Sequence, residues 1–437
     1  MALPKKFTKS EPVDINEFYS VNVKSLWRGL KQEPICFWLL CIYFFFEYVR
    51  PQTLYPVIDI LPWAQIFLVL TLVSAFLDKS VCWVSHIENK LFVSFAIVII
   101  LSGIFAFNPS VAWGYRNVML GWFIVYFLVI TIVNTERRLI LFLLAYLLFN
   151  LKMSQHGAIG WAMRGFSFAS YGLIGSPGWF RNSGEYAIQM LIYGPLATAF
   201  VMSLKSYWGR YKKWILYAAA ATGYMAVIGA SSRGAQIGLV VIGIWILLKQ
   251  RGGVKGLVGI AILAAVFYFF LPDEQMQRFR EMGDDENSLQ RLAYWEIGLK
   301  EVIPDHILLG VGYHNWISYL DYLYPQGVGV KGIVQECHNI YIQSTSELGI
   351  SGLFVFILMV ITAFITNART RVLTKDLNNK LLFNLSYGLD AGLIGYLIAG
   401  TFVTVFYYPF FWIQIAMIVA LYQVSNAEKP ARNKTMR

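Results

Sequence analysis

His338 and Asn339, followed after nine residues by Gly349-Ile350-Ser351-Gly352, put a proton acceptor and an amide at the start of an apolar helical run. A neutral imidazole can take the proton of an attacking hydroxyl near pH 7. Asn339 is placed to fix that imidazole or the acceptor. On a continuous helix, Gly349 and Gly352 return to within roughly 40° of His338. One face would then carry the histidine above a flat strip on which a long lipid or another helix could lie. The alternative is a small-residue packing surface with an interfacial histidine. A second set of candidates is cationic. Arg181 opens Arg181-Asn182-Ser183-Gly184-Glu185 and Arg233 sits in Ser231-Ser232-Arg233-Gly234. Arg291 begins Arg291-Leu292-Ala293-Tyr294-Trp295, ahead of Gly310-Val311-Gly312-Tyr313-His314-Asn315. Arginine favours bidentate capture of phosphate and keeps its charge when partly buried. A base and several guanidinium groups together suit attack by a hydroxyl with a diphosphate leaving, the cations taking up the developing charge.

The elements that must hold these groups belong in a bilayer. The 437 residues are 57% hydrophobic and 16% aromatic, which no ordinary soluble domain of this length approaches. Twelve spans are predicted near 35–49, 54–77, 91–108, 117–134, 138–153, 186–204, 214–230, 235–249, 254–271, 350–366, 385–406 and 408–424,. Met1 to Lys31 is polar and basic, unlike a cleavable signal peptide. Threaded from a cytoplasmic N-terminus, the inner segments hold 25 of the 36 Lys+Arg, which satisfies the positive-inside rule at every turn,. The net charge of +11 therefore reports topology, and nucleic acid is not an expected partner. The predicted organisation is a basic cytoplasmic N-terminus over 1–34, then helices 1–9 over 35–271 with an interfacial or re-entrant outer segment at 154–185. A large periplasmic loop follows over 272–338, then the histidine-motif helix and helices 10–12 over 339–424, and a basic cytoplasmic tail over 425–437.

Eleven basic residues fall outside, eight of them arginine, against the topology signal. Besides Arg181, Arg233 and Arg291 they include Arg116 and Arg164, which are secondary candidates; each could instead snorkel to lipid headgroups. His314 could face the same cleft, although its Gly-rich turn reads more naturally as a solvent-exposed loop. Asp284-Asp285-Glu286 could attract a divalent cation, but it reads as a solvated face of a charged loop helix. No metal site and no cofactor is expected. The four cysteines are too scattered for a disulfide framework,.

The histidine motif, the Ser-Arg turn and the arginine contexts together resemble the O-antigen ligase family, within the O-antigen ligase and polymerase superfamily. The resemblance runs over roughly 160–424. It implies an all-α integral membrane protein of about 12 transmembrane helices with a large periplasmic loop and a GT-C-like architecture, in the inner membrane of a Gram-negative bacterium. It further implies a glycosyltransferase whose donor is an undecaprenyl-diphosphate-linked glycan and whose acceptor is lipid A–core oligosaccharide, both met among membrane lipids. Read on this sequence, His338 is then the general base and Arg181, Arg233 and Arg291 hold the diphosphate. No nucleophilic carboxylate pair is apparent, so direct, inverting attack is expected. An O-antigen polymerase or a protein O-oligosaccharyltransferase of the same superfamily is the alternative. A lipid-linked glycan flippase or transporter is the alternative of another class, although polar groups clustered at one face suit it poorly.

Overall fold

A computed structural model describes residues 15–168, 172–249, 256, 258–259, 261–262, 265, 273–281 and 283–435. Most of the expected ninth span, 254–271, lies outside the described residues. Among those described, regular structure is helical apart from one isolated bridge between Val328 and Ile333. The helices are α1 (Ile15–Tyr19), α2 (Val23–Lys31), α3 (Ile35–Tyr48), α4 (Pro51–Leu54), α5 (Trp63–Leu77), α6 (Ile87–Ile104), α7 (Pro109–Gly114), α8 (Arg116–Ile132) and α9 (Glu136–Met163). After them come α10 (Ser183–Leu204), α11 (Arg210–Gly229), α12 (Arg233–Lys249), α13 (Asp273–Arg280), α14 (Glu286–Ile297), α15 (Trp316–Leu323), α16 (Ile340–Asp376), α17 (Lys380–Ala399) and α18 (Pro409–Thr435).

Among the described residues, six helical stretches are long and apolar enough to cross a membrane, and α5 and α8 are shorter apolar helices. Large side chains such as Phe76, Ile97, Phe354 and Ile361 face outward, a surface that a bilayer must cover. This is an all-α membrane protein. α10 is its hub: it begins on a capping box made by Asn182 and Glu185, is buried along most of its length, and packs between α11 and α17,. α12 lies on α17, while α16 packs against α6, α17 and α18.

Three boundaries differ from the sequence reading. The second apolar run becomes helical only at Trp63, because Pro56 starts a short 3-10 turn and Pro62 caps the following helix,. Residues 154–163, expected in an interfacial segment, continue α9 as far as Met163. The third difference bears on the histidine motif. α16 is broken at Gly349, whose φ of 66° and ψ of −171° are not helical. Residues 307–312 cross the break backbone to backbone: Ile350 donates to Ile307 at 2.8 Å, Val311 to Ser346 at 2.8 Å and Gly312 to Glu347 at 3.1 Å. A Cβ on Gly349 would lie 2.3 Å from the Leu308 carbonyl, and one on Gly352 would lie 2.3 Å from the Leu348 Cβ. The expected flat strip is therefore corrected. Gly349 exists to let another strand of backbone approach, and Gly352 to let the kinked helix fold onto its own Leu348.

Candidate active site

A cavity of about 610 Å³ opens where three helix N-termini meet: Asn182–Gly184 at α10, Ser231–Gly234 at α12 and Asp285–Ser288 at α14. Each N-terminus presents the positive end of a helix dipole, so the wall favours an anion. Arg233, Arg291 and His338 line the same cavity, with Leu292, Trp295, Phe402 and Val403 forming its apolar side. Glu281 and Asp285 also line it.

Arg233 is brought there by a tight turn. Ser231 adopts a left-handed φ of 55° after α11, and Arg233 then opens α12. Its Nη1 donates to Asp285 Oδ2 at 2.8 Å. Of the acidic triplet read as a solvated face, Asp284 and Glu286 are exposed, and Asp285 alone is corrected. Asp285 caps α14, accepting the Ser288 N–H at 3.2 Å, and is about one-fifth exposed. Burial alone would raise its carboxyl, but the hydrogen bonds from Arg233 and Ser288 and the charge of Arg233 hold it down at about 2.

Arg291 and His338 are brought together by α14. Along one side of that helix, Gln290 donates to the Val328 carbonyl at 2.8 Å, Tyr294 to Ile333 at 2.7 Å and Trp295 to Cys337 at 2.8 Å. The loop leading to the histidine is thereby strapped to the helix that carries Arg291. His338 itself has a left-handed φ of 52°, and its N–H donates to the Thr404 hydroxyl at 2.9 Å. Such a backbone costs roughly 1–3 kcal/mol in a non-glycine residue and persists only when its neighbours hold it. Burial, and then the charges of Arg291 and Lys331, push the half-buried imidazole down to about 4. It is neutral at pH 7, with a lone pair available.

The remaining candidates lie elsewhere. Asn339 caps α16, its side-chain oxygen accepting from the Tyr341 and Ile342 N–H groups at 2.9 and 3.2 Å, and it does not line the cavity. Arg181 is exposed, and the cavity wall starts at its neighbour Asn182. Arg116 donates to the Trp113 carbonyl at 2.7 Å, and Arg164 follows the C-terminus of α9; neither lines the cavity. His314 is also corrected. It stacks on Tyr115 with ring centroids 4.2 Å apart, flanked by Tyr313 and Tyr407, and burial pushes it down to about 3. It belongs to an aromatic cluster and does not line the cavity. Asp285, read only within the acidic triplet, and Ser288, Trp295 and Thr404 were not assigned to the site. Only the first two carried a signal, since Asp285 three residues before Ser288 at the start of an amphipathic run has the form of an N-cap.

Guanidinium groups, three helix N-termini and a neutral base in one pocket of a membrane protein suit an anionic ligand,. Residues 216–357 match the model of the family described as O-antigen ligase. The match supports that family, and the matched stretch contains Arg233, Arg291, His338 and the break at Gly349. The members of that family are glycosyltransferase-like membrane enzymes that act with lipid-linked glycans and lipid acceptors in general. No curated protein matches this chain.

Proposed function

We propose that this protein is an O-antigen ligase, transferring a glycan en bloc from undecaprenyl diphosphate to a hydroxyl of lipid A–core oligosaccharide at the periplasmic face of the inner membrane. One observation carries the reading: Arg233, Arg291 and His338 line a single cavity into which three helix N-termini point. The charge asymmetry of the sequence supports twelve spans, with both chain ends in the cytoplasm and this cavity outside,.

The acceptor hydroxyl attacks the anomeric carbon, and its proton passes to His338. The bond from that carbon to the diphosphate oxygen breaks, and the electron pair stays on undecaprenyl diphosphate. Attack opposite the leaving group inverts the anomeric centre. Arg233 and Arg291 neutralise the added charge, helped by the N–H groups of α10, α12 and α14. Arg181, at the rim, meets the donor on its way in. The arriving diphosphate also acts on the base. It offsets the field of Arg291 and Lys331 that depresses the imidazole, so His338 becomes a stronger base when the donor is in place.

The test is transfer by the purified protein from undecaprenyl-diphosphate glycan to three acceptors: lipid A–core, a second lipid-linked glycan and a periplasmic protein, each with and without EDTA. Glycosylated lipid A–core, formed equally in EDTA, is the expected result. Transfer only to the second glycan would make the protein a polymerase. Activity lost in EDTA and restored by Mn²⁺ would move leaving-group stabilisation from the arginines to a metal.

A further inference from the structure

Asp285 uses its two oxygens differently. Oδ1 caps α14 through the Ser288 N–H at 3.2 Å, a task that asparagine performs equally well without charge,. Oδ2 accepts from Arg233 at 2.8 Å and from the Ser288 hydroxyl at 2.6 Å. The first contact concerns the helix alone. The second joins the α11–α12 hairpin to the loop helix across the wall of the cavity.

The charge of Asp285 is out of place in a site for an anion. Among the described residues, two arginines and two carboxylates, Glu281 and Asp285, line the cavity, so these formal charges balance before any ligand enters. A diphosphate that grips Arg233 through Nη1 therefore displaces a carboxylate. That exchange is feasible here, because the Arg233 and Asp285 side chains are 20% and 22% exposed and water can solvate the displaced acid,. It also answers a problem of product release. Breaking the glycosyl bond leaves one more negative charge on the diphosphate, so fixed cations alone would hold the spent carrier more tightly than the donor.

Resting on the reading of this cavity as the diphosphate site, we infer that Asp285 is an exchangeable counter-ion for Arg233. It positions the guanidinium in the empty cavity, yields it to the donor, and reclaims it as polyprenyl diphosphate departs. Asp285 is thus a positioning residue that sets carrier affinity and release, touching neither the sugar nor the acceptor.

The test uses full-length protein in nanodiscs, with equilibrium binding of undecaprenyl diphosphate and steady-state transfer measured for wild type, Asp285→Asn, Asp285→Ser, Arg233→Ala and Arg233→Ala/Asp285→Asn. Both Asp285 variants keep a good cap and should bind the spent carrier on the order of tenfold more tightly, the effect of removing one competing charge contact. Donor KM and kcat should fall together, with stronger product inhibition. In the Arg233→Ala background the gain from Asp285→Asn should vanish. Carrier affinity unchanged or weakened in both Asp285 variants, while Arg233→Ala weakens it, would overturn the exchange and leave Asp285 as a cap and strap. Carrier affinity unchanged in Arg233→Ala would instead overturn the diphosphate reading, and the exchange with it.

Discussion

The Trp295 indole N–H donates to the Cys337 carbonyl at 2.8 Å, one peptide from His338 and four residues along α14 from Arg291. A neutral hydrogen bond thus sets the spacing between the base and one of its cations. Its loss should loosen the site without unfolding the protein.

Trp295→Phe keeps an aromatic ring beside Phe402, now 6.3 Å away between centroids, and removes the N–H donor together with part of the indole. Transfer should fall about tenfold, the cost of a loosened near-attack geometry. Thermal stability should change by only the ~1 kcal/mol of one hydrogen bond. Steady-state rates alongside melting curves check this; full activity would show that the neighbouring Gln290 and Tyr294 contacts hold the loop unaided.

Arg233→Lys and Arg291→Lys should each lose donor affinity despite keeping charge, because lysine lacks the planar fork. Arg116→Lys and Arg164→Lys should stay near wild type, since neither residue lines the cavity. Donor titrations rank the four. Equal behaviour of the two pairs would reduce the site to net charge.

His338→Asn tolerates the left-handed φ of 52°, and should cost roughly 10²–10⁴ in rate while folding normally. In the wild type, the acid limb reflects loss of the base: activity falls as pH drops through the imidazole pKa. That limb should lie near 4 in kcat/KM, which reports the free enzyme,. It should lie higher in kcat, where bound diphosphate offsets the arginine field. Coincident limbs would argue against that coupling. His314→Ala should instead lower thermal stability, because it opens the stack with Tyr115.

Gly349→Ala should cost more stability than any of these, since a Cβ would sit 2.3 Å from the Leu308 carbonyl at a φ of 66°. Reduced folded yield, with residual activity in the fraction that folds, is the expected outcome. A normally stable variant would mean that residues 307–312 can move away from the helix.

Much of this was legible in the residues. The apolar runs gave the helices because length and composition alone decide which segments lipid accepts, and of the five candidate arginines, Arg233 and Arg291 line the cavity. The histidine motif singled out a residue that lines the cavity, but its glycines were read incompletely. Its glycines were taken as one helical face, whereas a chain crossing of distant sequence, 307–312 on 346–350, demands them. The arrangement of His338 also depends on Thr404 and Trp295, partners that no local pattern announces. Asp285 was misread for a related reason: an acidic run looks solvated until the Arg233 opposite it is known.

The backbone break at Gly349 also bears on how the chain is made. The peptide groups of 346–350 that no longer bond along α16 are satisfied by residues 307–312. A bilayer tolerates unsatisfied peptide groups poorly. This helix cannot settle as a self-sufficient span when it leaves the ribosome. Its upper turns are completed only when residues 307–312 have folded back onto it, so that loop and this helix must take their final form together.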